Sequence, residues 1–487
     1  MTFALPRRGA AQLLALLAVV GLPLAIVGTA LLLVSGGHAR RPPPRLRAAG
    51  EVDVSSRRGI QSETAIATDP RHPRVLVAGS NDVTRRRMRV YSSTDGGRDW
   101  HRQLLPQPPG AGLCDASDPS VAIDDRGRQY YSFLGLKCSG RRIRSSSVYL
   151  AWRAGPAARW RTLRLPVARR RLFTLGDDRP MVAVDTSAGS PHRGRVYIAW
   201  TRFAIDPDSL FVISDEGDAN IVQASARVAY SDNGGRRWSA PTRMSVHGYP
   251  LEVRLAIGAD GTVYATWRAS KTNSIFIARS RDGRHFGSAQ LVAASVVPPE
   301  RSCGGFRSRI PAQPRRCVSP NPVIAVDRSH GRYRGRVYVV YGTTALNQSQ
   351  DVGVTAYDAQ LHPLLGARTV QQVNPPERFR GRDQFLPTAA VDERTGRLWA
   401  CYYATLRPAG RLARYTCTAS DDGGAHWHTP TPLARVASDE TRRPANRANG
   451  YGDYEGVTAA AGVAHAIWTD GRFLRTRREE IFTARVH

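Results

Sequence analysis

The sequence predicts an all-β chain, a seven-bladed β-propeller preceded by one N-terminal transmembrane helix. Three observations carry this. A pattern of paired apolar runs recurs seven times between residue 61 and the C-terminus. Glycine and proline, 44 and 32 of 487 residues, are spread along the chain, as many short strands joined by tight turns require. One long apolar segment stands by itself ahead of the first repeat.

That apolar segment comes first. Arg7 and Arg8 precede a run from Gly9 to Val34. A secretory h-region takes about 7–15 residues, whereas crossing a bilayer takes about 20. The run is therefore read as an uncleaved signal anchor over residues 9–36, behind a short cytoplasmic end at 1–8; cleavage would instead release a secreted protein. Arg40, Arg41, Arg45 and Arg47 on its far side outnumber Arg7 and Arg8, which pulls the positive-inside rule the other way. Residues 37–50 read as a stiff Pro/Arg-rich stalk. The propeller follows over 51–487, on the extracytoplasmic side of the cell membrane.

The cysteines fix that side. Six of them form three sequence-local pairs, Cys114 with Cys138, Cys303 with Cys317 and Cys401 with Cys417. An even count behind an export signal points to disulfides. Cys401 and Cys417 flank two strand-like runs around a turn at Pro408-Ala409-Gly410, so a hairpin centred there sets them opposite each other. Closing a loop of about 15 residues stabilises by roughly 3 kcal/mol in the chain-entropy treatment. No CxxC spacing occurs, which argues against zinc.

The net charge of +30 is almost wholly arginine, with Lys137 and Lys271 the only lysines. The arginines are scattered over every segment, and no basic-aromatic motif of a nucleic-acid module appears, so nucleic acid is excluded as a partner. A GC-rich genome choosing arginine codons accounts for this spread, and attraction to anionic cell-wall polymers, lipid headgroups or acidic glycans is the functional alternative.

Each repeat reads P-x-V-A-V-D, a turn, then G-R-V-Y-V-x-W. The copies begin at Thr64, Pro119, Pro180, Val253, Pro322, Pro387 and Gly456. Two apolar β-type runs separated by Asp, Gly, Arg or Ser are hairpin chemistry. Because the runs are apolar on both faces, the sheets must be covered on both sides, which radial packing of blades provides. Glu51–Ser55 is a lone strand-like segment ahead of the first unit, and the last unit runs out after about three strands. Ring closure by the N-terminal strand follows.

A second signature sits in register with the first. It reads Ser93, Asp95, Gly97, Trp100; then Ser231, Asn233, Gly235, Trp238; then the shortened Ser280, Asp282, Phe286; then Ser420, Asp422, Gly424, Trp427. These residues resemble the Asp box, S-x-D-x-G-x-x-W, of the sialidase-like (BNR-repeat) superfamily. The aspartate accepts backbone N–H bonds across the turn, and the aromatic ring folds back on the sheet edge. The resemblance covers residue 50 to the end. It implies blades of four antiparallel strands, with the Asp box between strands three and four. Sialidases of this superfamily have six blades, so six stands as the alternative count.

Asp boxes are structural, so the site needs its own argument. The resemblance implies an arginine triad, a Tyr–Glu pair and an Asp acid/base. Arg309-Ile310-Pro311 matches the first-arginine motif of sialidases but lies mid-chain, and is read as coincidence. The residue before each repeat's first strand is a better guide: Glu63, Asp118, Arg179, Glu252, Asn321, Leu386 and Glu455. Asp178, Arg254, Asp383, Asp453 and Tyr454 lie nearby. First strands line a propeller's channel, so these residues should converge at one mouth. Asp118, Glu252 and Glu455 are the candidate catalytic carboxylates, for general acid and base or nucleophile. The others are candidate ligand contacts, and the carboxylates could equally hold Ca²⁺. Tyr454 and Glu455 are adjacent, so they should face opposite ways rather than meet as a sialidase pair.

The expected protein is a monomeric, membrane-anchored propeller that binds glycan or anionic cell-wall polymer at the mouth. The alternatives are an exo-glycosidase of exo-α-sialidase type and a protein-interaction scaffold. No organic cofactor motif, HExxH, GxSxG or Walker loop is present.

Overall fold

The computed structural model describes residues 45–487 apart from 141, 167–173, 206–220, 245–247, 295, 298–301, 304–306, 345–348, 367–370, 375–379, 443–449 and 477. The expected anchor and most of the expected stalk lie outside these residues. Among the described residues no helix is long and apolar enough to cross a membrane.

The chain is all-β. Strand β1 is Ala48–Asp53. Next come β2 (Gly59–Thr68), β3 (Leu76–Asp82), β4 (Arg87–Ser93) and β5 (His101–Leu104), paired in that order. The same antiparallel meander recurs as β6 (Asp115–Ile123), β7 (Gln129–Ser139), β8 (Arg142–Arg153) and β9 (Arg161–Arg164). It recurs again as β10 (Thr174–Val184), β11 (Val196–Ile205), β12 (Ile221–Ser231) and β13 (Thr242–Arg243), and as β14 (Pro250–Ile257), β15 (Val263–Ala269), β16 (Ser274–Ser280) and β17 (Gln290–Ala293). A separate hairpin follows, β18 (Ser308–Ile310) with β19 (Gln313–Val318). Then come β20 (Val323–Val326), β21 (Val337–Thr343), β22 (Asp351–Tyr357) and β23 (Pro363–Leu365), with β24 (Gln371–Gln372) also on β22. The meander returns as β25 (Gln384–Val391), β26 (Leu398–Thr405), β27 (Ala413–Ser420) and β28 (Thr431–Pro432). The last strands are β29 (Gly456–Ala460), β30 (Val463–Asp470) and β31 (Arg478–Val486).

The N-terminal strand closes the last sheet as the sequence implies: β1 pairs antiparallel with β31, Ala48 opposite Val486 and Asp53 opposite Phe482. It starts three residues before Glu51, because Arg47 exchanges backbone hydrogen bonds with His487 at 2.8 and 3.2 Å and Leu46 is buried. The final residues assigned to a stalk are thus part of the sheet.

Packing between sheets is cyclic. Val77 and Val90 pack on Val121 and Tyr131; Tyr130 and Leu150 on Val182 and Ile198; Tyr197 and Val228 on Val263 and Trp267. Ile275 and Ile277 meet Ile324 and Val337, Val340 and Val354 meet Leu398 and Tyr402, and Trp399 and Tyr415 meet Ala466 and Trp468. Ile467 and Ile481 then meet Leu76 and Tyr91 of the first meander. Both faces of each sheet are buried, which explains the unbroken apolar runs. Trp200, Trp267 and Trp468, at matching places in their repeats, are fully buried in this packing.

The repeat's two ends have physical reasons. At the end of the first strand, the Asp of V-A-V-D caps the turn that follows. Asp69 accepts from Arg71 N at 2.8 Å, Asp124 from Arg126 N at 2.9 Å, Asp327 from Ser329 N at 2.8 Å and Asp392 from Arg394 N at 2.8 Å. These are Asx turns. At the start, the residue before the repeat is a left-handed bulge. Glu63, Asp118, Arg179, Glu252, Asn321 and Leu386 all have φ between 43° and 60°, and five of them fall where the pairing register breaks. Each such residue costs about 1–2 kcal/mol, and a bulge re-aims its side chain.

The Asp-box turns lie between third and fourth strands. Ser93 donates to Asp95 at 2.8 Å, Gly97 N donates to Ser93 at 2.9 Å, and Asp95 accepts from Arg98 N and Asp99 N. Trp100 Nε1 donates back to Gly97 O. Ser231, Asn233, Gly235 and Trp238 repeat every one of these contacts. Ser280 with Asp282, and Ser420 with Asp422, repeat the first. Three disulfides join Cys114–Cys138, Cys303–Cys317 and Cys401–Cys417. Cys401 and Cys417 are direct partners across the β26–β27 ladder, as the hairpin argument requires. Three disulfides suggest an extracellular or secreted protein.

Candidate functional site

The starts of the innermost strands gather at the end opposite the Asp boxes, and hydrogen bonds run from one to the next. Asn81 on β3 donates to Glu63 at 2.8 Å and accepts from Asp118 N at 3.1 Å. Asp118 accepts from Arg179 N at 3.2 Å. Arg179 pairs with Glu252 at 3.2 Å, and Glu252 holds Arg268 at 3.3 Å and the Ser319 hydroxyl. Arg254 Nη2 reaches Asn321 at 3.4 Å, and Asn321 donates to Pro387 O at 3.0 Å.

Asp453 closes the circle from the other side. Its backbone N–H donates to Glu63 at 3.2 Å. Its carboxylate accepts from Arg316 Nε and Nη2 at 2.8 and 2.7 Å, lies 3.8 Å from Arg307 and stands 4.0 Å from Arg179. Burial alone would raise its pKa, but Arg316, Arg307 and Arg179 hold it well below the carboxylate range. Glu252 behaves alike: against burial, Arg268 and Arg179 bring it down to about 2.

Asp118 and Asp178 differ. Both are partly exposed. Burial, then the charges of Glu63 and Asp178, push Asp118 well above its usual value, although Arg179 opposes this. Asp118 hydrogen-bonds both of those carboxylates. Asp178 is raised by burial and by Asp453, against Arg179. Like charges this close oppose one another's ionisation, so burial and its carboxylate neighbours disfavour the charged form of Asp118.

Tyr454 forms the floor. It is 1% exposed, with the guanidiniums of Arg179 and Arg254 4.6 and 5.1 Å from its ring centroid. Its hydroxyl donates to Pro119 O at 3.1 Å. Arg254 has no carboxylate within ion-pair distance among the described residues. Burial and Arg179 lower its pKa to about 10.

Two candidates from the sequence lie elsewhere. Glu455 is buried between sheets, not at the mouth: it meets Tyr403 and Thr64 at 2.5 Å each and accepts from Thr469 N at 2.9 Å. As expected for neighbours, Tyr454 and Glu455 point apart. Asp383 is buried in the β25–β26 region, where it accepts from Gln350 N at 3.0 Å. The structure therefore brings together Glu63, Asp118, Asp178, Arg179, Glu252, Arg254, Asp453 and Tyr454. Sequence reasoning missed Arg307 and Arg316, which arrive on the β18–β19 hairpin; an insertion outside the repeat carries no column to align. Arg309 of the Arg-Ile-Pro run is exposed and donates to Pro314 O, away from the mouth. Among the described residues no group of three His, Cys, Asp or Glu could hold a metal ion.

The repeated four-stranded meanders and the Asp-box turns are the features expected of a β-propeller. No family model matches the chain, and no curated protein matches it. Among solved structures it is similar to a protein of unknown function from Dyadobacter fermentans, at 14% identity and TM-score 0.46, over 77% of this chain and 98% of that one. It is also similar to a Hadza microbial sialidase, at 12% identity and TM-score 0.47, over 84% and 73%. A third is a Penicillium chrysogenum α-L-arabinanase complexed with arabinobiose, at 10% identity and TM-score 0.46, over 80% and 99%.

Proposed function

We propose that this is a membrane-anchored, extracytoplasmic propeller of seven blades that binds glycans at the mouth formed by Asp118, Asp178, Arg254 and Tyr454. The cyclic packing of the meanders, with β1 completing the last, supports the count. The apolar run at 9–34 supports the anchor.

One observation carries the ligand reading: two carboxyls, Asp118 and Asp178, and a guanidinium with no carboxylate at ion-pair distance among the described residues, Arg254, stand together partly exposed. Sugar hydroxyls both donate and accept, and such a mixed set suits them. An exo-glycosidase is the second reading, favoured by the upward shift of the Asp118 carboxyl, the direction a general acid needs. A sialidase mechanism is disfavoured. Of the arginines able to clamp a substrate carboxylate, Arg307 and Arg316 face Asp453 and Arg179 is paired with Glu252, and the Tyr454 hydroxyl donates to Pro119 O.

The test is glycan-array binding by the full chain in detergent, with fluorogenic glycosides as a second arm. Binding without release, lost in Asp118→Ala and Asp178→Ala, supports the first reading. Sugar release lost in the same variants supports the second. Binding that survives both substitutions contradicts both.

A further inference from the structure

The β18–β19 hairpin is outside the meanders, closed by Cys303–Cys317. Ile310, Ala312 and Val318 anchor it in the cluster of Phe385, Leu386 and Tyr451. From that footing it grips the 451–453 segment. The Gln313 amide donates to Gly452 O at 3.2 Å and its carbonyl accepts from Tyr451 N at 2.9 Å. Gly452 has φ +80°, and a Cβ there would lie 2.5 Å from Glu63 Cγ, so only glycine lets the segment lie this close. Arg316 then forks onto both oxygens of Asp453 while its Nη2 lies 3.5 Å from Glu63.

We propose that Arg316, held by the Cys303–Cys317 hairpin, is the positioning residue of the mouth: it ties down Asp453 and Glu63 on the side that faces Asp118. The groups facing Asp118 are Glu63 from β2, Asn81 from β3, Asp178 and Arg179 from β10, and Tyr454 from the segment before β29. Glu252 and Arg254 from β14, and Asp453 with Arg316, stand one step further out. Removing Arg316 takes one cation from beside this set, and every carboxyl there becomes harder to ionise. Asp453 still keeps Arg307 and Arg179, so no uncompensated charge is created. The inference deepens the reading of the mouth as a ligand site, and its test does not need a ligand.

The test is an infrared titration of protonated carboxyl bands in the full chain, with the mouth's band assigned by its loss in Asp118→Asn. Arg316→Met should move its midpoint up by about half a pH unit or more. Arg316→Lys should fall between, since it restores charge without the fork. Cys303→Ser with Cys317→Ser should shift it the same way by freeing the hairpin. Arg309→Ala, on the same hairpin but away from the mouth, should not. An unmoved or lowered midpoint in Arg316→Met overturns the proposal, as does an equal shift in Arg309→Ala or a band that survives Asp118→Asn. Should Arg316→Met not fold, Arg316→Lys and the serine pair decide in the same way. A shift without glycan binding would sink the ligand reading alone; binding without a shift would sink this one alone.

Discussion

Glu455 accepts a hydrogen bond from the Thr64 hydroxyl. The oxygens stand 2.5 Å apart, and the Thr64 hydroxyl also lies 3.0 Å from Ile467 O and accepts from Gly456 N at 3.2 Å. The other Glu455 oxygen accepts from Tyr403 and from Thr469 N. Burial accordingly raises its pKa from 4.5 to about 8. A raised acid favours folding fully below pH 4.5, and this support is lost as pH climbs through 8. Glu455→Gln keeps the shape of the side chain with no proton to lose. Denaturation should show the variant gaining on the parent between pH 5 and 8, by roughly 4 kcal/mol at the top of the range. Parallel curves for the two proteins would show that Glu455 is ionised in the fold.

Asp95 and Asn233 do the same job in two Asp boxes, each accepting from two backbone N–H groups and a serine. Charge is therefore dispensable there. Asp95→Asn should leave stability within about 0.5 kcal/mol, whereas Asp95→Ala should cost about 1–2 kcal/mol. Chemical unfolding midpoints separate the two. A large loss in Asp95→Asn would mean that the carboxylate charge matters.

Cys401 and Cys417 are buried partners on neighbouring strands, 16 residues apart in sequence. Replacing both by alanine should lower stability by roughly 3 kcal/mol, most of it through the unfolded chain. The variant's refolded near-ultraviolet spectrum should match the parent's. A changed spectrum would show that the bridge shapes the native sheet as well.

The repeat made the fold legible, because Asp at one strand end and a bulge at the other each impose a turn chemistry that recurs. The bulge column Glu63, Asp118, Arg179 and Glu252 was found by alignment alone, since its spacing from the repeat is constant. Glu455 broke the rule. Its place in the column is occupied by a residue without positive φ, so its side chain turns between sheets, where Tyr403 and Thr64 receive it. Asp383 was grouped with the mouth by proximity in sequence, yet it serves the Gln350 backbone. Arg307 and Arg316 were invisible because the hairpin that carries them stands outside the repeat, and only its disulfide marks it in the sequence.

The most direct test of the account is a crystal structure of the chain with an oligosaccharide selected from the array. The account predicts sugar at the mouth, with hydroxyls on Asp118 and Asp178 and a contact to Arg254. Sugar seated on an outer blade face or at the Asp-box end, with the mouth empty, would contradict it.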